Sequence, residues 1–132
     1  MKGMAMKRII AVMAAALAGC GSGAPSYVGQ AAEQLEYGYI TAFPDQAGSK
    51  KCLAPKQLDG QQWFLLCGFN QGGPGLVNGG LWEIRQEGTT WAAYASNGPA
   101  ARAQQRMAAP QVKPPQTPPS FDVAKARSLF PE

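Results

Sequence analysis

The sequence predicts a small α+β domain: an antiparallel sheet of three to four strands with one or two helices, and a Pro-rich C-terminal arm. Three observations carry that expectation. The runs "GLWEIRQ" and "TTWAAYAS" alternate with period two about a short turn, and "GQQWFLLCGFN" is apolar on both alternating faces. Helical spacing flanks these runs, in "SYVGQAAEQLEY" before them and "SNGPAARAQQRMAA" after them. Prolines gather in "PQVKPPQTPPS", which can build neither a ladder nor a helix, because Pro lacks the N–H and fixes φ. The resulting order, α-β-β-β-β-α, is that of an α+β fold.

A chain of 132 residues has room for one small domain. Its 16 Gly and 11 Pro cluster in segments, which leaves an ordered core of about 80 residues, small enough to need a staple. The expected division is a leader over 1–19, a tether over 20–26, the domain over 27–109, a Pro-rich spacer over 110–119 and a C-terminal segment over 120–132.

In the first helix Val28, Ala31, Ala32 and Leu35 share a face, with Ser26 as N-cap. "EYGYITAF" then alternates, with Tyr37, Tyr39, Thr41 and Phe43 against Ile40 and Ala42, as in a strand ended by Pro44. A helix running on to Tyr39 is the competing reading. In the next strand Trp63, Leu65, Cys67 and Phe69 face one way, Phe64 and Leu66 the other, as in a strand covered on both sides. "QGGPGLVNGG" is a loop by composition. The hairpin about "EG" places Trp82 and Ile84 on one face, Glu83 and Arg85 on the other, with Trp91, Ala93 and Ala95 opposite the first set. A cross-strand pair of Trp82 and Trp91 suits this pattern. Asn97 or Ser96 caps the second helix, Pro99 sits in its first turn, and Ala100, Ala103 and Met107 make its narrow apolar stripe. The Pro-rich spacer reads as an extended connector of about 30 Å. Beyond it, "SFDVAKARSLFPE" can form a helix capped by Ser120, with Phe121, Ala124 and Leu129 or Phe130 on its apolar side.

The first twenty residues have the parts of an export signal: Lys2, Lys7 and Arg8, an uncharged apolar stretch from Ile9 to Leu17, and small residues before Cys20. The stretch is too short to span a bilayer as a stable helix, which takes roughly 20 residues. "LAGC", Leu17-Ala18-Gly19-Cys20, resembles the lipobox of bacterial lipoproteins. That resemblance implies cleavage before Cys20 and a diacylglycerol on its thiol, often with a further acyl chain on the new amino group. Two or three chains suffice for stable anchoring where one is marginal, at roughly 0.8 kcal/mol per buried CH₂. Gly21 stands where an Asp commonly marks inner-membrane retention, so the resemblance implies the inner leaflet of the outer membrane, facing the periplasm.

Export puts Cys52 and Cys67 where thiols pair, and a disulfide between them is expected. A metal-bound or catalytic thiol is the rival reading, but the chain has no His and no CxxC motif. The formal charge of +4 includes the three cations of the leader, and from Cys20 onward nine Lys and Arg face eight Asp and Glu. Nucleic acid is therefore not an expected partner. Absence of His removes Ser-His-Asp and Cys-His chemistry. Glu83 with Glu87, or Asp45 with Asp59, read as solvent-facing carboxylates rather than a hydrolytic pair. The Gly-rich loop lacks the Lys-Ser/Thr of a phosphate loop. Arg102 and Arg106, four apart, share a helix face that reads as solvated, though it suits headgroups or peptidoglycan-linked anions. Trp63, Trp82 and Trp91 read as core rather than a platform for sugar or peptide.

No catalytic residue, metal or cofactor is expected. The expected partners are the membrane, through acyl chains on Cys20, and an envelope protein. For the latter the apolar residues Phe121, Val123, Leu129 and Phe130 form a candidate docking segment, unless that segment is a free tail or folds back on its own domain. The expected role is a non-enzymatic binding or assembly module, of the build found among small lipoproteins of secretion and conjugation systems. The alternative is a periplasmic inhibitor or ligand-binding lipoprotein that captures an enzyme or a glycan.

Overall fold

A computed structural model describes residues 23–131 of the chain. The expected leader and the expected lipidation site at Cys20 lie outside these residues. The elements in order are α1 (Ser26–Ala42), β1 (Ser49–Cys52), β2 (Lys56–Leu58), β3 (Gln62–Asn70), β4 (Val77–Glu87), β5 (Thr90–Ala95), α2 (Gly98–Arg106), β6 (Val112–Lys113) and α3 (Val123–Arg127).

The class is α+β, but the sheet has six strands rather than three or four, in the order β1-β3-β4-β5-β6 with β2 also beside β3. The additional strands are short edge pieces. β1 and β2 lie end to end along one edge of β3, opposite residues 67–70 and 62–64 respectively. β6 pairs in parallel with β5 through Val112 and Lys113. Such edges carry few buried side chains, so they leave no alternating apolar signal, and the Lys residues on β1 suit an exposed rim.

The segment 36–43, expected as a strand, is helical: α1 runs to Ala42. Leu35 and Tyr39 are four apart and both buried, continuing the stripe of Val28 and Ala31. Tyr39 therefore fits a period of 3.6 as well as a period of two, and packing against the sheet selects the helix. Pro25, not Ser26, is the N-cap residue, and no side chain caps it. Thr41 Oγ1 donates back to the carbonyls of Tyr37 and Gly38, and α1 ends ahead of Pro44, which disfavours helical backbone at Phe43.

The faces of the central strands follow the alternation. Leu65, Cys67, Phe69, Trp82, Ile84, Trp91, Ala93 and Ala95 form one core with the buried faces of α1 and α2. Phe64, Leu66 and Leu81 form a second core on the opposite face. Trp82 lies opposite Ala95, and Trp91 opposite Gln86, so the two indoles are not a cross-strand pair. Glu87 and Thr90 close the hairpin around Gly88 and Thr89, with Gly88 at φ 63°, as a two-residue turn of the mirror-image kind requires at its first central position.

The second core is closed by the chain's own C-terminal segment. Ala126 and Phe130 are buried in it, while Phe121, Val123 and Leu129 pack at its margin. Phe121 meets Phe64 edge-on at 4.7 Å between ring centroids. The cap of α3 is Asp122, which accepts from the Lys125 N–H, rather than Ser120. The Pro-rich stretch is not a free-standing spacer: its Gln111 carbonyl accepts from the Ala93 N–H, and Val112 is buried. An apolar sheet face left in water is unfavourable by about 25 cal/mol per Å², which is the physical reason for the segment to fold back.

Candidate functional site

Cys52 and Cys67 are joined in a disulfide and sit directly opposite each other on β1 and β3. The Cys52 N–H is not spent on β3. It donates to Glu36 Oε2 on α1 at 2.8 Å, while the next N–H, of Leu53, bonds the Leu66 carbonyl. Helix, edge strand and central strand are thus tied at one point by a covalent bond and a charge-assisted hydrogen bond.

The three tryptophans give no open platform. Trp82 is fully buried, Trp91 is buried and Trp63 is half-buried, all toward the helices. Trp82 Nε1 donates to Tyr39 Oη at 3.2 Å inside the core. Burial pushes the Tyr39 hydroxyl up to about 12, opposed in part by that bond. Gly80 is what lets the helices come this close: a Cβ there would lie 2.5 Å from Tyr39 Oη and 3.0 Å from the Ala100 Cα. Asn97 docks α2 on the sheet. Its Oδ1 accepts from the Ala100 and Leu81 N–H groups, and its Nδ2 donates to the Gly79 carbonyl. The side chain therefore caps the helix and continues the ladder of β5 beyond Ala95.

Of the carboxylates expected to face solvent, Asp45, Asp59 and Glu87 are exposed, whereas Glu83 is not. Glu83 is only 3% exposed, because the C-terminal segment covers its face of the sheet, and its Oε1 pairs with Arg85 at 2.9 Å. Arg85 also donates to Gln116 Oε1 and Ser120 Oγ and lies over the Tyr94 ring, so it ties the returning chain to β4 and β5. Tyr94 Oη donates to Glu87 Oε2 at 2.6 Å, and that bond raises its pKa. Asp59 pairs with Lys125 of α3 at 3.2 Å. Glu83, Glu87 and Asp59 thus each have a local partner, Asp45 is exposed, and among the described residues no two of the four line a shared cleft. Among the described residues no cluster of three metal-binding side chains occurs, and no helix is long and apolar enough to cross a membrane.

Of the four residues expected for docking, Phe130 is buried on the chain's own sheet, and Phe121, Val123 and Leu129 pack beside it. Exposed apolar surface lies elsewhere: Tyr37 and Ile40 on α1, 64% and 51% exposed, and Val77 at the start of β4. Beside Tyr37 a cavity of about 330 Å³ opens between α1 and the chain leaving α2, lined by Gly38, Trp91, Met107 and Val112 among others. A second, of about 310 Å³, lies at the C-terminal end of α1, over Tyr39, Phe43 and Phe69. Arg106 lines both, and Arg102 lines the second. The Arg106 guanidinium sits over the Phe43 ring at 4.7 Å. Spacing alone marks the two arginines as one helix face, but Phe43 joins them only because α1 is a helix to Ala42. The alternation in "EYGYITAF", which suits a strand, hides that half of the groove from the sequence. No family model matches the chain, and neither a curated protein nor a solved structure does.

Proposed function

We propose that the chain is a bacterial envelope lipoprotein, anchored through Cys20, that works as a non-enzymatic binding or assembly module. The observation that carries this reading is how soon the folded domain begins after the lipobox. Ala24, four residues beyond Cys20, already belongs to the core against the sheet. Four residues reach at most about 14 Å, so acyl chains on Cys20 would hold a rigid domain close to the lipid surface. The tether is correspondingly shorter than residues 20–26. The disulfide supports the reading, since such bonds persist in oxidising compartments such as the periplasm.

The apolar residues of the C-terminal segment contribute to the domain's own second core, so the binding surface of the module is assigned to the α1–α2 side. A role as accessory component of a secretion or conjugation apparatus remains the form of assembly that the lipoprotein resemblance favours. The second reading, an inhibitor that captures an enzyme or glycan, has Val77 in its favour, 40% exposed beside the Gly-rich loop. Mass spectrometry of the native protein tests the anchor: residue 20 should be the diacylated N-terminus, and an unmodified thiol with the leader attached refutes it. Photo-crosslinkers at positions 37 and 77 of the full chain in cells then test the module. Capture of one defined envelope protein supports it, and capture of none at either site overturns it.

A further inference from the structure

The two cavities on the α1–α2 side adjoin at Arg106, and no acidic side chain lines either of them. Their volumes lie at the lower end of the roughly 300–1,000 Å³ at which pockets hold small ligands. One half is mainly apolar, with Tyr37, Trp91, Met107 and Val112 beside the polar Gln34, Thr41 and Gln111. The other has an aromatic floor, Tyr39, Phe43 and Phe69, and is rimmed by Arg102 and Arg106. Among the described residues Arg102 makes no ion pair or hydrogen bond, and Arg106 has only its contact with Phe43. Stacking holds one face of the Arg106 plane and leaves the N–H fork at its edge free for a carboxylate. Arg102 lies one helical turn earlier, with Cβ atoms about 5–6 Å apart at that spacing. Lys50 Nζ donates to the backbone carbonyl of Gln46, a residue of the same rim, and adds positive charge there.

We infer that this double groove receives an acidic peptide segment of a partner protein, with a carboxylate across Arg102 and Arg106 and the neighbouring apolar side chain beside Trp91 and Met107. The inference rests on the binding-module reading and deepens it by naming the ligand class. Charge complementarity selects an anion. The apolar half selects one attached to a hydrophobic group, because inorganic phosphate would leave the exposed Tyr37 and the half-buried Met107 uncovered. A lipid headgroup is disfavoured by position. The anchor joins the N-terminal end of α1, whereas the basic half lies at the other end of this 17-residue helix, about 25 Å away.

The test uses the full chain in detergent micelles, followed by NMR of backbone and arginine side-chain N–H groups. The probe is N-acetyl-phenylalanyl-glutamate amide, with the glutamine analogue and N-acetyl-glycyl-glutamate amide as controls. The probe should shift Arg102, Arg106 and Met107 saturably, and each control should bind about tenfold more weakly, the loss expected when one charge-assisted hydrogen bond or one buried apolar side chain is removed. Arg102→Gln should weaken the probe by a similar factor and leave the melting temperature unchanged, since the exposed Arg102 side chain makes no hydrogen bond or ion pair in the fold. Equal binding of all three peptides, shifts confined to other surfaces, or an unaffected Arg102→Gln variant overturns the inference. So does perturbation of the same residues by phosphatidylglycerol vesicles but not by the peptide. Failure here is separable from failure of the binding module: a crosslinker at position 37 that captures an envelope protein while the peptide does not bind abandons the acidic-peptide reading alone.

Discussion

Opening the disulfide should destabilise the domain enough to read in a single melting curve. Cys52 and Cys67 are 15 residues apart in sequence, and closing a loop of that length restricts the unfolded chain by about 3 kcal/mol in the chain-entropy model. The native state also loses a tie, because β1 has four residues, none fully buried, and is held by its ladder to β3, the sulfur bridge and the Glu36 bond. For a domain of this size 1 kcal/mol moves the midpoint by about 4–8 °C, so the loss should reach roughly 12–24 °C. The assay compares the chain carrying Cys20→Ser, which prevents disulfide exchange, with the same chain bearing Cys52→Ala and Cys67→Ala, each melted with and without reductant. Reductant should lower the midpoint of the first and leave the second unchanged. The urea m-value should also rise without the bridge, because the unfolded chain then exposes more surface. Equal midpoints in the two proteins under oxidising conditions would refute the staple.

Three further outcomes follow from the packing. Gly80→Ala should cost about 1–3 kcal/mol by urea denaturation, the usual penalty for overpacking, because the new Cβ meets Tyr39 Oη and the Ala100 backbone; an unchanged midpoint would show that α1 and α2 do not meet β4 there. Tyr39 has its pKa raised from 10.0 to about 12, so the stability it contributes is complete below pH 10 and is lost as pH rises toward 12, when the unfolded chain releases the proton more readily. Tyr39→Phe should remove that part of the alkaline loss and cost about 1–3 kcal/mol at neutral pH by leaving the Trp82 N–H unpaired; an identical alkaline limb in the variant would contradict the buried hydroxyl. Phe130→Ala should destabilise by about 3–5 kcal/mol if the C-terminal segment is part of the core, and a loss under about 1 kcal/mol would mean that the segment is not.

The central strands were legible because they alternate. Leu65 and Cys67 against Phe64 and Leu66, and Trp82 and Ile84 against Leu81 and Glu83, are faces that a period of two reports directly. The end of α1 was not, because Tyr39 and Phe43, four apart, satisfy either period, and only contact with Phe69 and Trp82 favours the helix. The edges β1, β2 and β6 are two to four residues long, and β2 and β6 bury one side chain each, Leu58 and Val112, so no alternating pattern distinguishes them from loops.

Cys20 and its flanks, the pairing of Cys52 with Cys67, and a helix cap at Asn97 or Ser96 are all legible in the sequence, because each depends on local chemistry or on the compartment that local chemistry implies. Of these the bond and the cap are present in the structure, whereas anchoring at Cys20 is proposed. The buried Glu83, the folded-back Phe130 and the groove at Arg106 depended on the tertiary structure. Each is made by segments far apart in sequence, brought together because the second face of the sheet and the exposed end of α1 had to meet something other than water. Which segment covers an apolar face is a question of reach and complementary shape, and neither is written in the periodicity of any single stretch.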